Sequence, residues 1–272
     1  MTNTVSATSG APVPAVLLHS SASTANQWRD LEAVLAPERV VATPEQRGCG
    51  GAAPWRGERI FSLAEEAGPI IELIESAGGS CHLVGHSFGG GVALNIARRR
   101  PDLLTSLTLI EPTAFHLLQH GTDEDRAAYR EVRSVADGIA RSILTGHYRG
   151  GMARFVDYWN GRGSWDRMSP GRQDVLAERV AKLPLDFHAL LHEEARPDDF
   201  RSMTVPTLLI RGTQSPRPAV RVAEMLHRTL PSRTMVKVAG AGHMVPLTHA
   251  PEVNPLIRDF IARHDPTARV AA

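Results

Sequence analysis

The sequence predicts an α/β fold with a mostly parallel central sheet of about six strands, helices on both faces and a helical insertion. Short runs that are apolar on both faces alternate with segments of helical spacing, as expected for parallel strands buried between two helical layers. Residues 112–200 interrupt this alternation and contain no convincing strand. Between an apolar run and a helical segment lies the glycine-flanked turn GHSFG, residues 85–89.

The elements follow one another in a regular order. The strand candidates are AVLLH (15–19), RVVAT (39–43), CHLVGH (81–86), SLTLI (106–110), PTLLIR (206–211) and TMVKV (234–238). The helix candidates outside the insertion are residues 26–36, 62–77, 87–99, 217–230 and 251–264. Ser62 and Glu65 form a capping-box pattern, and Pro69 is expected to bend that helix or to split off its first turn. Before residue 15 there is room for at most one short extra strand.

These elements divide the chain into four parts. Residues 1–14 are expected to be a flexible leader, and residues 265–272 a C-terminal tail. Residues 15–111 and 201–264 together form the predicted core domain, which leaves 112–200 as a helical cap, or lid. The helices expected in the cap are 123–145, 152–159, 169–182 and 184–195.

The insertion is also where the aromatic side chains concentrate. Residues 112–200 hold nine of the fourteen aromatic residues, including all three tyrosines. Two interpretations remain open: the segment has a small core of its own, or its inner face lines a pocket.

Composition excludes several classes of protein. The chain has 272 residues, of which 42% are hydrophobic and 22% charged, and its net charge of +1 provides no general attraction to nucleic acid or membranes. The two cysteines exclude a disulfide scaffold. The N-terminus lacks a basic and an apolar signal segment. We therefore expect a cytoplasmic protein, monomeric or homodimeric, without nucleic-acid or membrane partners.

Ser87 is the candidate nucleophile. A tight strand-to-helix turn lifts its side chain out of the sheet, and the glycines at positions 85 and 89 avoid clashes there. The turn also brings backbone N–H groups of the helix start close to the place where an oxyanion would form. The alternative is a structural glycine-rich turn.

The order of five segments resembles the α/β-hydrolase fold superfamily, and within it a serine hydrolase or esterase. These segments are LLHSSAST, ATPEQRGCG, LVGHSFGGGVAL, VPTLLIRG and GAGHMVPLTHAPE, and the resemblance covers roughly residues 15–264. It implies that His243, on a glycine-rich loop after the last predicted strand, is the catalytic base. A structural histidine is the alternative.

The acid of the catalytic triad departs from the usual pattern. The resemblance places an aspartate in the loop 212–218, but no acidic residue occurs between Phe200 and Glu224. Glu111 ends the strand that follows the nucleophile helix, where some members of the superfamily carry the acid. A carboxylate buried there is costly unless it is paired, and pairing with the imidazole of His243 would explain it. The alternative is that Glu111 ties the cap to the sheet.

The oxyanion hole is assigned from the same resemblance. The backbone N–H groups of Phe88 and Ser21 are the expected donors, with Ser20 standing where the superfamily has a glycine. Ser20 and Trp159 are candidate substrate-binding residues. Two further histidines are expected to have structural roles: His86 packs behind the nucleophile, and His19 supports the oxyanion loop.

These residues predict a cofactor-free serine hydrolase that acts on a small-molecule carboxylic ester, thioester or lactone. The sequence contains no nucleotide-binding glycine motif. His188 and His192 have the spacing of the HExxH zinc motif, but Ala189 stands where that motif requires a glutamate. We therefore expect no cofactor and no metal. Two alternatives on the same fold remain open, a non-hydrolytic small-molecule receptor and a cofactor-independent oxygenase or perhydrolase.

Overall fold

The computed structural model describes residues 11–266, and its centre is a six-stranded sheet. All strand pairs are parallel, in the order β2-β1-β3-β4-β5-β6. The predicted fold class is therefore confirmed. In the described chain no strand precedes β1, and most of the predicted leader and tail lies outside the described residues. The strands are β1 (Ala15–Leu18), β2 (Val41–Ala42), β3 (Cys81–His86), β4 (Leu104–Ile110), β5 (Thr207–Gly212) and β6 (Arg233–Val238).

Ten α-helices are found within residues 11–266. They are α1 (Arg29–Leu35), α2 (Leu63–Ser76), α3 (Phe88–Arg99), α4 (Asp123–Leu144), α5 (Tyr148–Asn160), α6 (Pro170–Ala177), α7 (Leu183–Leu191), α8 (Arg217–Thr229), α9 (Val245–Thr248) and α10 (Ala250–His264). Short 3₁₀ helices span Ala25–Trp28, Pro101–Leu103, Phe115–His120, Val180–Lys182 and Pro197–Phe200. In the described part of the chain, none of the helices has the length and apolar character needed to cross a bilayer.

Helix α2 excludes one of the two effects expected of Pro69, the separation of the first turn. Its N-cap is Ser62, whose side chain accepts the Glu65 N–H at 3.3 Å. The helix then runs through Pro69 without being split. A proline removes one helical hydrogen bond, whereas buried side chains anchor the helix in the core on both sides of this position, Leu63 and Ala67 before it and Ile70 and Ile74 after it. Packing therefore outweighs the local penalty.

The two faces of the sheet carry separate apolar layers. Side chains alternate along a strand, so Val16 and Leu18 join the cluster that includes α2, α3 and α8. Ala15 and Leu17 face the opposite way and belong to the cluster formed with α1 and α10. The alternation explains why β1 is apolar at every position.

Residues 112–200 contain helices α4 to α7 and no strand. Their apolar side chains, including Phe115, Val132 and Met152, belong to the same cluster as Leu107 and Phe88 of the sheet region. The segment therefore has no separate hydrophobic core. It packs as a continuation of the layer on the α3 side of the sheet.

Candidate active site

The turn between β3 and α3 holds Ser87 in a strained conformation, with φ 54° and ψ −116°. The flanking glycines are required by close backbone contacts. A Cβ at Gly85 would lie 2.4 Å from the carbonyl oxygen of Gly89, and a Cβ at Gly89 would lie 2.3 Å from that of Leu18. Any side chain at either position would push the turn away from the sheet, so the GxSxG spacing follows from steric limits.

Backbone strain concentrates around this turn. Among the described residues, three that are not glycine have positive φ: Ala22 at 55°, Ser87 at 54° and Glu111 at 48°. Each such conformation costs about 1–3 kcal/mol and persists where the surroundings enforce it. The three residues follow β1, β3 and β4, which are neighbours in the sheet. The strained residues therefore lie together beyond the carboxyl ends of these strands, which is where ligands bind in open parallel sheets.

Ser87, His243 and Glu111 form a continuous hydrogen-bonded chain. His243 Nε2 lies 2.9 Å from Ser87 Oγ, and His243 Nδ1 lies 3.1 Å from Glu111 Oε2. The three residues are 6%, 2% and 0% exposed, respectively. Because an ionised carboxylate can only accept, Nδ1 carries the imidazole proton and Nε2 is left to accept the Ser87 hydroxyl proton. The structure thus brings the three predicted residues together.

The loop 212–218, which contains no acidic residue, donates hydrogen bonds to Glu111 at the end of the neighbouring strand β4. The Gly212 N–H donates to Glu111 Oε1 at 2.7 Å, and the Ser215 hydroxyl donates to the same oxygen at 2.6 Å. Together with His243 Nδ1, three donors converge on one buried carboxylate, which compensates for its desolvation. Sequence reasoning missed Ser215, since nothing local to residues 212–218 indicates a partner 104 positions earlier.

His86 supports the histidine loop from behind. Its Nε2 donates to the backbone carbonyl of His243 at 2.9 Å, and the two rings lie 5.3 Å apart. Burial, reinforced by the neighbouring His243, lowers the pKa of His86 to about 3. The ring is therefore neutral near pH 7. It acts as a fixed donor that positions residue 243, in agreement with its expected place behind the nucleophile.

Trp159 of α5 lies against the other side of the site. Its ring stacks on the imidazole of His243 with centroids 4.1 Å apart, and Phe115 stacks on Trp159 in turn at 6.1 Å. The tryptophan also lines the cavity above Ser87. It thus both restricts rotation of the His243 ring and forms part of the cavity wall. The sequence marked this residue as a candidate but provided no sign of the stacking.

The two expected oxyanion donors are available. In residues 11–266, neither the Phe88 N–H nor the Ser21 N–H has an acceptor. Ser20 is different, because its N–H and its hydroxyl both donate to Gln27 Oε1, at 3.1 and 2.8 Å. Ser20 lines the cavity, but its donors are engaged in bracing the loop.

His19 fixes the base of the same loop. Its Nδ1 donates to the Ser20 carbonyl at 2.8 Å, and its Nε2 accepts the Gln46 N–H at 3.2 Å. Desolvation lowers the pKa of His19 to about 4, so the neutral ring matches this pattern of one donor and one acceptor. The Gln46 side chain adds a hydrogen bond to the His19 carbonyl at 2.6 Å. The supporting role expected for His19 fits these contacts.

A buried charge network lies beneath the oxyanion loop. Lys182 Nζ is 2.6 Å from Asp186 Oδ1 and 3.8 Å from Glu66 Oε2, and it lies 4.4 Å from the ring centroid of Phe88. Burial raises the pKa of Asp186, which the Lys182 charge and a hydrogen bond from Ser21 partly offset. The network thereby joins residues 112–200 to α2 and, through the ring of Phe88, to the start of α3.

Lys182→Met is expected to destabilise the fold by about 3–5 kcal/mol, because two buried carboxyl groups lose their shared cation. Urea unfolding of the purified variant measures this effect. Lys237→Met is the matched control, since Lys237 is exposed on β6, and it should change stability by less than about 0.5 kcal/mol. A Lys182→Met variant as stable as the control would contradict the proposed importance of the network.

A cavity of about 440 Å³ opens directly above Ser87 and His243. One wall comes from the β1 loop, residues 20–27, and another from α9 and the segment before it. The remaining wall comes from residues 112–200, and its apolar members are Met152, Phe155, Val156, Trp159, Met168, Val175 and Leu176. The volume suits a small organic molecule.

Comparison with known proteins agrees with this geometry. The alpha/beta hydrolase family profile matches residues 15–256. Lipase LipV of Mycobacterium tuberculosis is 26% identical, covering 91% of this chain and 92% of its own. The pimeloyl-[acyl-carrier protein] methyl ester esterase of Neisseria meningitidis serogroup B is 27% identical, covering 90% and 91%.

A solved structure extends the comparison to the fold. A hydrolase from Pseudomonas aeruginosa superposes with a TM-score of 0.75 at 19% identity, covering 94% of this chain and 92% of the other. At that identity the likeness concerns the fold alone, and it confirms the sheet and its surrounding helices. On the family match over residues 15–256, the resemblance noted in the sequence is confirmed, and the chain belongs to the alpha/beta hydrolase family.

Proposed function

We propose that this chain is a cofactor-free serine hydrolase that cleaves a small carboxylic ester, thioester or lactone through an acyl-enzyme on Ser87. The observation that carries the proposal is the hydrogen-bonded chain from Ser87 to His243 to Glu111 at the floor of a cavity of about 440 Å³. A buried nucleophile–base–acid chain of this geometry is the arrangement that acyl transfer requires.

Acylation begins when Ser87 Oγ attacks the carbonyl carbon of the substrate. His243 Nε2 takes the hydroxyl proton as the new C–O bond forms, and the carbonyl π electrons move onto oxygen. The N–H groups of Phe88 and Ser21 stabilise that oxyanion. When the tetrahedral intermediate collapses, the bond to the alcohol, thiol or ring oxygen breaks and His243 returns the proton to the leaving group.

Deacylation repeats these steps with water. His243 Nε2 removes a proton from a water molecule that attacks the acyl carbon, and the oxyanion again forms at the same donors. Collapse releases the carboxylic acid and returns the proton to Ser87 Oγ. In both halves Glu111 holds the Nδ1 proton and stabilises the imidazolium. Its own position is fixed by Gly212 and Ser215.

We propose in addition that residues 112–200 act as a cap over this site. The support is that α5 and α6 supply much of the cavity wall, including Trp159. The names of the relatives, a lipase and a methyl ester esterase, support ester cleavage as the reaction type. They leave the acyl and alcohol parts of the substrate open.

The test is turnover of para-nitrophenyl acetate and butyrate by the purified chain, without added metal or cofactor. We expect para-nitrophenol and the carboxylic acid to appear in equal amounts, with no dissolved oxygen consumed. Binding of the ester without turnover would favour the receptor alternative. Oxygen consumption coupled to product formation would favour the oxygenase. Either result would contradict the proposal.

A further inference from the structure

The cavity above Ser87 has an uneven charge distribution. Two arginines line it, Arg172 and Arg179, whereas no aspartate or glutamate of residues 11–266 does. His243, also in the lining, has its own carboxylate partner Glu111 behind the cavity wall. The space available to a substrate is therefore bordered by fixed positive charge.

Arg179 lies beside the oxyanion loop. Its Nη1 donates to the carbonyl of Ala22 at 3.0 Å, one of the strained positions of the site. In the described chain no carboxylate pairs with it. After burial, the charges of Lys182 and Arg179 are the further causes that lower the pKa of His19. The field of Arg179 thus reaches the loop that would bind the oxyanion.

Arg172, on α6, is equally free of an acidic partner. Within residues 11–266 its side chain has no hydrogen bond or ion pair. The nearest acid on its own helix, Asp174, pairs instead with Arg149 of α5, which also donates to Gln173 at 2.7 Å. Asp174 is therefore already paired, and it lies two positions from Arg172 on α6, a spacing at which helix side chains do not face each other. Arg172 is exposed and lines the cavity.

The apolar side chains around Arg172 and Arg179 strengthen the electric field of the two arginines inside the cavity. The wall near α6 is apolar, with Met168, Val175 and Leu176 beside the two arginines. Apolar walls reduce the screening of a nearby charge. Guanidinium groups present paired N–H donors that match the two oxygens of a carboxylate. An uncharged substrate would leave both arginines without a counter-charge.

We propose that the substrate of this hydrolase carries, besides its scissile carbonyl, a second group that is anionic, such as a carboxylate, which Arg172 and Arg179 bind. This inference rests on the proposed function and names the class of its substrate. Arg172 recognises the anion directly. Arg179 has two tasks, because it also orders the Ala22 carbonyl next to Ser21.

Two matched pairs of esters test the inference on either side of the scissile bond. The acyl pair is the para-nitrophenyl monoester of adipic acid and its neutral counterpart with an isopropyl group in place of the carboxylate. The alcohol pair is para-carboxyphenyl butyrate and para-carbamoylphenyl butyrate. We expect kcat/KM for the anionic member of at least one pair to exceed that of its neutral partner by about tenfold, as expected for hydrogen bonds to a charged group.

Three variants assign the preference to residues. Arg172→Gln should lower the ratio of kcat/KM for the anionic and neutral esters by about tenfold, mainly through KM. Arg179→Gln should lower this ratio and also kcat, whereas Arg179→Lys should restore part of the ratio. Arg162→Gln is the control, because Arg162 is exposed on the same segment and does not line the cavity. It should leave the ratio as in the wild type.

The outcomes separate the two proposals. If all four esters turn over but neither pair favours its anionic member, the inference about the substrate is overturned and the proposed hydrolase function stands. A preference that survives both Arg172→Gln and Arg179→Gln would equally overturn the assignment to these residues. If none of the four esters is hydrolysed, the proposed function itself fails, and the inference falls with it.

Discussion

Replacing Ser87 with alanine is expected to reduce ester hydrolysis to the uncatalysed background, a loss of about 10⁶-fold in kcat by analogy with nucleophile knock-outs in other triads. The variant lacks the oxygen that attacks the carbonyl, while His243 and Glu111 keep their contact at 3.1 Å. Steady-state kinetics with the most reactive para-nitrophenyl ester measures the loss.

The fold of this variant should survive, because alanine only removes Oγ and the turn around residue 87 is enforced by its glycine neighbours. Ser76→Ala is the matched control. Ser76 is the last residue of α2, and its hydroxyl donates to the carbonyl of Leu73 at 2.8 Å. The kcat of the Ser76→Ala variant should therefore equal that of the wild type. A Ser87→Ala variant with more than about 1% of wild-type kcat would contradict covalent catalysis at this residue.

Glu111→Gln is expected to lower kcat by about 10²–10⁴-fold, since the corresponding acid-to-amide change in a well-studied triad costs about 10⁴. The side chain keeps its shape but exchanges one acceptor oxygen for an NH₂ donor. Three donors, from His243, Gly212 and Ser215, then face a group with a single acceptor oxygen. The imidazole loses its fixed tautomer, and the imidazolium loses its counter-charge. Steady-state kinetics and thermal unfolding of the same preparation separate this loss from misfolding.

The control addresses the alternative that Glu111 merely ties the insertion to the sheet. Glu193 has that structural role, since it accepts from Asn95 and Arg98 of α3 at 3.0 and 3.2 Å. Glu193→Gln should therefore affect the melting temperature while leaving kcat within about twofold. A drop of less than about fivefold for Glu111→Gln would mean that another group orients His243.

The sheet was accessible to sequence reasoning because its four inner strands, β1, β3, β4 and β5, are buried on both faces. β1 is apolar at every position, and β3 is buried at every position and flanked by glycine-rich segments. The strand predicted over residues 39–43 is the exception, because the structure reduces β2 to two half-buried residues at the edge of the sheet. An edge strand buries less surface, so its sequence carries a weaker signal.

The candidate site was predictable where a residue adjoins a strand end. Ser87 and Glu111 follow β3 and β4, and parallel strands bring their carboxyl ends to one edge. The contacts of Ser215 and His86 were not predictable. They join positions 104 and 157 residues apart, and neither residue type nor spacing signals such pairs. Similarly, the continuation of α2 through Pro69 depends on tertiary packing that overrides a local preference.

The most direct test of the central claim is to locate the covalent adduct that the protein forms with a fluorophosphonate. After brief exposure, intact mass and peptide mapping should place one adduct on Ser87 in the wild type and in Glu111→Gln, where it should form more slowly because His243 is poorly oriented. No adduct should form in Ser87→Ala. An adduct that persists in Ser87→Ala, or that maps to another residue in the wild type, would contradict the assignment of Ser87 as the nucleophile.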